Sequence, residues 1–270
     1  MAGEEEEEVM VELSSFKLPL CPVVDASEDI LLLWALGRPH LTLPNAFVCQ
    51  ASQSLRFDAC GHTLTIWQAP SAFNKPGVTG AVMWDSAVIM GMFLEHCHDS
   101  QVFNMRGKRC VELGAGCGFV GCVAALLGAE VTLTDLPGRL RQLQKNITEN
   151  TTHLGSQLLA RVEELAWGEE LDKRLTSPPP DFILASDVVY SEDIVDELLC
   201  TLQSLCGSSS TVILAAELRN DSILEYFLEL SLKDFLVWRV PQSQWHSEFR
   251  SQRVAIYIMT KTRSQKSEDG

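Results

Sequence analysis

The chain has 270 residues, of which 46% are hydrophobic and 21% charged, so it can bury a sizeable core. This composition excludes wholesale disorder and collagen-like or disulfide-only scaffolds. The 36 acidic residues outnumber the 21 basic ones and give a formal net charge of -15, which argues against a nucleic-acid partner and favours a lysine-rich or otherwise cationic one.

Cysteine usage and the lengths of the apolar runs indicate the cellular setting. The nine cysteines are an odd number and lie mostly in apolar segments, as Cys110, Cys117 and Cys122 do, which is typical of a reducing compartment. The N-terminus reads as an acidic run rather than a signal peptide, and each apolar run falls short of the ~18 residues of a membrane span. We expect a monomer in the cytosol, or in cytosol and nucleus, outside the membrane.

The first 79 residues are predicted to form an acidic tail followed by a small appendage. Residues 1–13 contain six glutamates and read as a solvated, disordered tail. Residues 14–79 begin with a short helix, predicted at Ser27–Leu36. Three short strands are predicted at Ala46–Gln50, Leu55–Ala59 and Leu64–Gln68. The last two should join as a hairpin, so the appendage is expected to be antiparallel.

From residue 80 to residue 262 the predicted strands alternate with helices. The strands are predicted at Arg109–Leu113, Glu130–Thr134, Arg161–Leu165, Phe182–Ser186, Thr211–Ala216 and Arg253–Met259. The helices are predicted at Phe119–Leu127, Leu140–Asn150, Ile194–Leu205 and Ser222–Leu232. This alternation predicts an α/β domain with a doubly wound, mostly parallel sheet, whose last strand pairs as an antiparallel edge hairpin. Residues 263–270 read as a polar C-terminal tail.

A glycine-rich turn between the first core strand and its helix is the most informative segment. Gly114, Gly116 and Gly118 let the backbone turn tightly and lie against a ligand. Asp135 ends the next strand, 21 residues after Gly114, where an acid can accept both hydroxyls of a ribose. A nicotinamide dinucleotide would require glycine in place of Phe119. The turn therefore favours an adenosyl ligand without phosphates, such as S-adenosylmethionine.

Polar and aromatic residues follow the ends of other core strands. Asp187 comes directly after the fourth strand, at the sheet edge where α/β folds bind ligands, and Tyr190 lies one helical turn further on. Trp167 follows the third strand and can cover an adenine ring, and Trp84 could lie over the mouth of such a site. Taken alone, each tryptophan is more simply interpreted as a residue that packs in the core than as a ligand contact.

Metal-ligand residue types occur together at Glu95, His96, Cys97 and His98. Adjacent residues of a helix point in different directions, and no second cluster lies at zinc spacing. We therefore expect no metal. A G-x-S-x-G nucleophile motif is also missing from the sequence.

Five motifs, in order, resemble those of the seven-β-strand protein-lysine methyltransferases, also called methyltransferase family 16. They span about Gly80 to Thr260 and read G-x-V-x-W-D-S-A, V-E-L-G-A-G-x-G-x-V-G, V-T-L-T-D, L-x-W-G and D-V-V-Y. The resemblance implies the Rossmann-like seven-stranded sheet of class I methyltransferases with a small N-terminal appendage, S-adenosylmethionine as methyl donor, and a protein substrate bearing a target lysine.

The resemblance also implies roles for individual residues. Those that would line the cofactor are Trp84, Gly114, Ala115, Gly116, Asp135, Trp167 and Ser186. Asp187 and Tyr190 match the D-x-x-Y motif of the family's active site. Ser186 stands where family members usually carry alanine, a small change that leaves a backbone contact possible. Glu217 and Arg219 fall where relatives often have an acid and an arginine, although this match is looser.

Two further classes of function stay open at this point. One is a methyltransferase that acts on a small-molecule amine or on protein histidine. The other is a catalytically silent binding module that keeps the fold. The intact Asp135, Asp187 and Tyr190 argue against the silent module, because a degraded site usually loses one such residue.

Overall fold

A computed structural model of the chain describes residues 8–13, 16–37, 45–73, 80–152 and 160–262. The strands are β1 (Val9–Leu13), β2 (Phe16–Val23), β3 (Ser54–Ala59), β4 (His62–Trp67), β5 (Arg109–Leu113), β6 (Glu130–Asp135), β7 (Ala160–Glu164), β8 (Phe182–Ser186), β9 (Thr211–Glu217), β10 (Phe235–Arg239) and β11 (Val254–Lys261). The α-helices are α1 (Ala26–Gly37), α2 (Pro70–Phe73), α3 (Asp85–Asp99), α4 (Phe119–Leu126), α5 (Pro137–Thr151), α6 (Lys173–Thr176), α7 (Val195–Leu205) and α8 (Asp221–Ser231). The described ranges contain no helix with both the length and the hydropathy of a membrane span.

One large sheet confirms the predicted doubly wound α/β architecture. Its strand order is β1-β2-β10-β11-β9-β8-β5-β6-β7. The strands from β9 to β7 in this order are parallel, whereas β11, β10, β2 and β1 pair antiparallel. Strands β5 to β11 form the predicted seven-stranded sheet, and β2 and β1 extend it to nine. The carboxyl ends of β5, β6 and β8 meet at one edge.

The two faces of the sheet are covered by two apolar cores. Side chains of α3, α4 and α5 pack on one face, and side chains of α1, α7 and α8 pack on the other. Successive residues of β9 alternate between the cores, because neighbouring side chains of a strand point to opposite faces. Ile213 and Ala215 face α3 and α4, whereas Val212 and Leu214 face α7 and α8.

The position of the last strand differs from the prediction. β11 pairs antiparallel as expected, but it lies between β9 and β10 rather than at the sheet edge. The sequence reading missed β10, where Phe235, Val237 and Arg239 are buried and Leu236 is exposed. This period-2 burial is typical of a strand, and β10 and β2 together cover the side of β11 that would otherwise be an edge.

The N-terminal segment also differs from the prediction. Val9–Leu13 is a strand paired with β2 and not part of a disordered tail, since Val11 is buried despite the nearby glutamates. β2 contains two prolines, which weaken the strand signal, and it pairs with β10 of the main sheet. These strands therefore belong to the main sheet rather than to an appendage. Residues 1–7 and 263–270, predicted as tails, lie outside the described residues.

The remaining predictions for residues 14–79 have mixed outcomes. The helix predicted at Ser27–Leu36 is confirmed as α1. The predicted hairpin is confirmed as β3 and β4, which form a separate two-stranded sheet. The strand predicted at Ala46–Gln50 is wrong, because this segment is irregular and its backbone N–H groups bond to a side chain instead of a neighbouring strand.

Candidate functional site

A cavity of about 320 Å³ opens where the parallel strands end. This is the edge at which α/β sheets bind ligands. All nine residues singled out from the sequence line it, namely Trp84, Gly114, Ala115, Gly116, Asp135, Trp167, Ser186, Asp187 and Tyr190. The fold therefore brings them together, while their individual roles stay predictions.

The glycine turn after β5 forms the floor of the cavity. Gly114 and Gly116 have positive φ values of 61° and 54°, in the left-handed region that favours glycine. A Cβ atom on Gly114 would lie 3.0 Å from Cζ2 of Trp167 and 3.1 Å from Cγ1 of Val188. The turn leaves a cradle that a side chain would fill, and Trp167 forms its wall.

Asp135 is fixed at the end of β6 by backbone donors. Its Oδ2 accepts a hydrogen bond of 2.7 Å from the N–H of Gly116, and its Oδ1 accepts one of 2.7 Å from the N–H of Leu136. Burial raises the pKa of this carboxyl, and the two N–H donors oppose the rise. The carboxylate is thereby held beside the glycine turn in a single orientation.

Glu112 is a site residue that the sequence reasoning missed. It lies on β5, lines the cavity and is 1% exposed. Neither carboxyl oxygen has a hydrogen-bond partner among the described residues. Burial raises its pKa to about 8, and the N–H of Gly121, which faces the carboxyl without normal hydrogen-bond geometry, opposes the rise. An acid between Val111 and Leu113, in the buried part of β5, was the available signal.

Asp187 lines the cavity directly after β8, on the other side of β5 from Asp135, in an uncommon backbone conformation. Its φ is +59°, which aspartate tolerates better than most residues, and its N–H donates to the carbonyl of Ala215 at 2.7 Å. The side chain is 6% exposed and forms an ion pair with Arg219. Burial raises the pKa of Asp187 to about 6; Arg219 lowers it and Glu217 raises it further.

Arg219 connects Asp187 to the buried Glu217. Its Nε donates to Oε2 of Glu217 at 3.1 Å, while its Nη2 donates to Oδ2 of Asp187. The guanidinium carbon lies 3.9 Å from the ring centre of Trp84, a cation–π contact. Tyr190 stands at the mouth and is 41% exposed. The loosely matched acid and arginine of the sequence therefore belong to the same site.

Asp85 joins this network to the chain segment that follows residue 44. Its carboxylate accepts hydrogen bonds from the N–H groups of Ala46, Phe47 and Val48 at 2.6, 3.0 and 3.2 Å. Its own N–H donates to Oε1 of Glu217 at 2.9 Å. One buried acid therefore fixes the start of α3, the 46–48 segment and Glu217.

The residues present fit S-adenosylmethionine. The glycine cradle admits close backbone approach, Asp135 suits a ribose, and Trp167 offers an aromatic wall. None of the described residues that line the cavity is a lysine or arginine, and the described part of the chain holds no group of three or more metal-ligating side chains. The lining therefore suits a ligand without phosphates.

Comparisons with known proteins agree with this reading. A family model described as "Lysine methyltransferase" matches residues 61–233. EEF1A lysine methyltransferase 3 of Mus musculus is 40% identical over 181 residues, 67% of this chain and 73% of that protein. Protein N-lysine methyltransferase METTL21A of Mus musculus is 40% identical over 205 residues, 73% of this chain and 88% of that protein.

A solved structure supports the fold. The 16S rRNA N2 methyltransferase RsmC of T. thermophilus, in complex with AdoMet and guanosine, aligns with a TM-score of 0.50 and 18% identity, over 77% of this chain and 50% of that one. The family model covers more than half of the chain, and the curated relatives exceed 30% identity. The chain therefore belongs to the lysine methyltransferase family, enzymes that transfer a methyl group from S-adenosylmethionine to the side-chain amine of lysine in proteins.

Proposed function

We propose that the two ends of the cavity divide the work of methyl transfer to a protein lysine, with cofactor binding at the glycine turn and acceptor positioning at Asp187. The observation that carries this proposal is the meeting of the Asp135 cradle and the Asp187 carboxylate in one cavity.

At the cofactor end, the chain supplies a cradle rather than charged clamps. Asp135 would accept the ribose hydroxyls, because its carboxylate is already aimed by two backbone donors. Gly114 and Gly116 would let the main chain approach, and Trp167 would cover the adenine. Trp84 would close the mouth, and Ser186 would offer a backbone contact.

At the acceptor end, the chain positions an amine and excludes water. S-adenosylmethionine, when bound, supplies an electrophilic methyl group on a sulfonium centre. Asp187 would accept a hydrogen bond from the lysine amine and stabilise the positive charge that this nitrogen gains. Tyr190 would orient the lone pair of the amine, and the methylated nitrogen would then lose a proton to solvent.

The partner and setting are further parts of the proposal. We propose a protein substrate with a basic character, because the net charge is -15, and no nucleic-acid partner. The mouse relative named EEF1A lysine methyltransferase 3 makes EEF1A the first acceptor to test. We also propose a monomer in the cytosol, or in cytosol and nucleus, which light scattering and cell fractionation would check.

A labelling experiment tests the proposal. The full chain is incubated with tritiated S-adenosylmethionine and either purified EEF1A or a cell lysate, alongside the Asp187→Asn variant as control. We expect label in a protein band, at lysine after hydrolysis, with the wild-type chain. Label at histidine or in the small-molecule fraction would overturn the lysine assignment, and absence of cofactor binding by calorimetry would indicate a silent module.

A further inference from the structure

The acceptor end carries an electrostatic difficulty that Asp187 cannot solve alone. A carboxylate beside a lysine raises the pKa of the ammonium group and so favours the protonated form. Methyl transfer needs the neutral amine, because the nitrogen lone pair must attack the methyl carbon while the carbon–sulfur bond breaks. A bare carboxylate would therefore bind the substrate in its unreactive form.

Arg219 lies where its positive charge can offset the negative charge of Asp187. Its guanidinium pairs with Asp187 on one side and with Glu217 on the other, and it lies over the ring of Trp84. Glu217 is 1% exposed at its side chain, so Arg219 is anchored to a buried acid while its own side chain is 33% exposed. The arginine fork is well suited to holding two carboxylates in fixed directions.

The charged groups connected to Asp187 through Arg219 and Glu217 come from three parts of the fold. Glu217 ends β9 and Arg219 follows it, Asp85 begins α3, and Arg253 precedes β11. Nη2 of Arg253 lies 3.5 Å from Oε2 of Glu217. Glu217 therefore pairs with both guanidinium groups, and Asp187 pairs with that of Arg219, whereas the Asp85 carboxylate accepts from the backbone N–H groups of residues 46–48. Loss of Arg219 would leave Asp187 beside Glu217 without its direct counter-ion.

We propose that Arg219 is a positioning residue for methyl transfer, whose guanidinium keeps the Asp187 carboxylate ionised and offsets its charge so that the acceptor amine can be neutral. The inference rests on the proposed acceptor role of Asp187. Asp187 then acts as a hydrogen-bond acceptor of fixed direction, and positive charge from Arg219 is present before the substrate arrives.

The first test needs no acceptor protein. The carboxyl carbon of Asp187 is followed by NMR in the full chain labelled with ¹³C-aspartate, and assigned by its loss in Asp187→Asn. The midpoint of its titration should lie near 6 in the wild-type chain. Arg219→Met, which keeps an apolar side chain over Trp84, should move the midpoint upward by about one pH unit or more. Arg219→Lys, which keeps the positive charge, should return the midpoint most of the way to the wild-type value.

The second test measures the rate of methylation as a function of pH. The acceptor is the protein that the wild-type chain labels in the experiment above. In Arg219→Met, the rise of kcat with pH should move about one pH unit towards higher pH, because Asp187 and the acceptor amine then each lose a proton at a higher pH. At neutral pH, kcat should fall about tenfold while the KM for the acceptor stays equal or decreases. Arg219→Lys should recover the profile.

Arg253→Met is the matched control. It removes the other guanidinium on Glu217 and leaves the pair between Arg219 and Asp187 intact. Its NMR midpoint and pH profile should move far less. The inference is overturned if Arg219→Met leaves the Asp187 midpoint unchanged, or if kcat falls equally at every pH. If the wild-type chain labels no acceptor, the proposed function fails, while the NMR titration still decides whether Arg219 controls Asp187.

Discussion

The two ends of the cavity are built in different ways. At the cofactor end, the glycine turn and Asp135 come from one short stretch of chain, and backbone N–H groups hold the carboxylate. At the acceptor end, Asp187 and Arg219 come from segments that follow different strands and meet through a charged contact, and Arg219 also lies against the ring of Trp84. The cofactor end thus depends on backbone shape, whereas the acceptor end depends on a balance of charges between side chains.

Asp187→Asn should produce the largest effect and should separate the two ends. The amide keeps the shape and loses the charge, so kcat should fall by about 10²- to 10³-fold, by analogy with removal of one preorganised electrostatic group. Cofactor affinity by calorimetry should hardly change, because this carboxylate faces the acceptor. If cofactor binding is abolished while turnover at saturating cofactor survives, Asp187 belongs to the cofactor end.

Asp135→Ala should produce the converse result at the other end. Loss of two charge-assisted hydrogen bonds to the ribose should lower cofactor affinity at least tenfold, while kcat at saturating cofactor changes little. Asp135→Asn, which keeps one carbonyl acceptor for the turn, serves as the control and should lose less. Unchanged affinity in Asp135→Ala would remove this residue from the cofactor site.

Glu112→Gln tests whether the cofactor end holds a neutral acid. Since the pKa of Glu112 is raised to about 8 in the folded chain, the folded state binds the proton more tightly than the unfolded state. Stability contributed by the protonated form is therefore lost as pH rises from the unfolded value of 4.5 towards 8. Glutamine cannot ionise, so the free energy of unfolding of Glu112→Gln, taken relative to wild type, should increase by about 1 kcal/mol or more between pH 5 and pH 8.

Urea unfolding of both chains at the two pH values measures this difference. The comparison within one pair of proteins cancels the titration of all other groups, provided that the substitution leaves the fold intact. A stability difference that is the same at pH 5 and pH 8 would contradict a raised pKa for Glu112.

Tyr190→Phe should give the smallest effect. The change removes one hydroxyl and keeps the ring, and Tyr190 is 41% exposed, so water can replace part of the lost interaction. We expect kcat to fall a few-fold, corresponding to about 1 kcal/mol or less, with cofactor affinity unchanged. A loss as large as that of Asp187→Asn would give Tyr190 an equal share of the acceptor chemistry.

The same contrast explains how much could be predicted from the sequence. The glycine turn and the strands β5 and β8 were placed at their observed bounds, because glycine spacing and buried apolar runs are local signals. Glu112 was missed since its burial depends on packing beneath the turn. Arg219 and Glu217 were only loosely matched, because nothing local indicates that Asp187, about 30 residues earlier, is their partner.

The strands that were missed have related causes. β1 is short and borders a run of glutamates, and β2 contains prolines at Pro19 and Pro22. β10 follows α8 after a three-residue gap and was hidden by the polar segment that comes after it. β2 and β10 pair with each other although they lie far apart in sequence, and β1 pairs with β2; periodicity in one segment does not reveal such pairing.

The anchoring of the 46–48 segment by Asp85 has a consequence for how such a chain can diversify. The three hydrogen bonds use main-chain N–H groups, which every amino acid except proline can supply. The side chains at these positions are therefore not needed for the anchor, although Val48 is itself buried in the core. Phe47 packs against Phe249, so the exposed position 46 is the one that is free to vary. Substitution there can change the chemistry of the surface next to the start of α3, while Asp85 continues to hold the main chain and Glu217 in place.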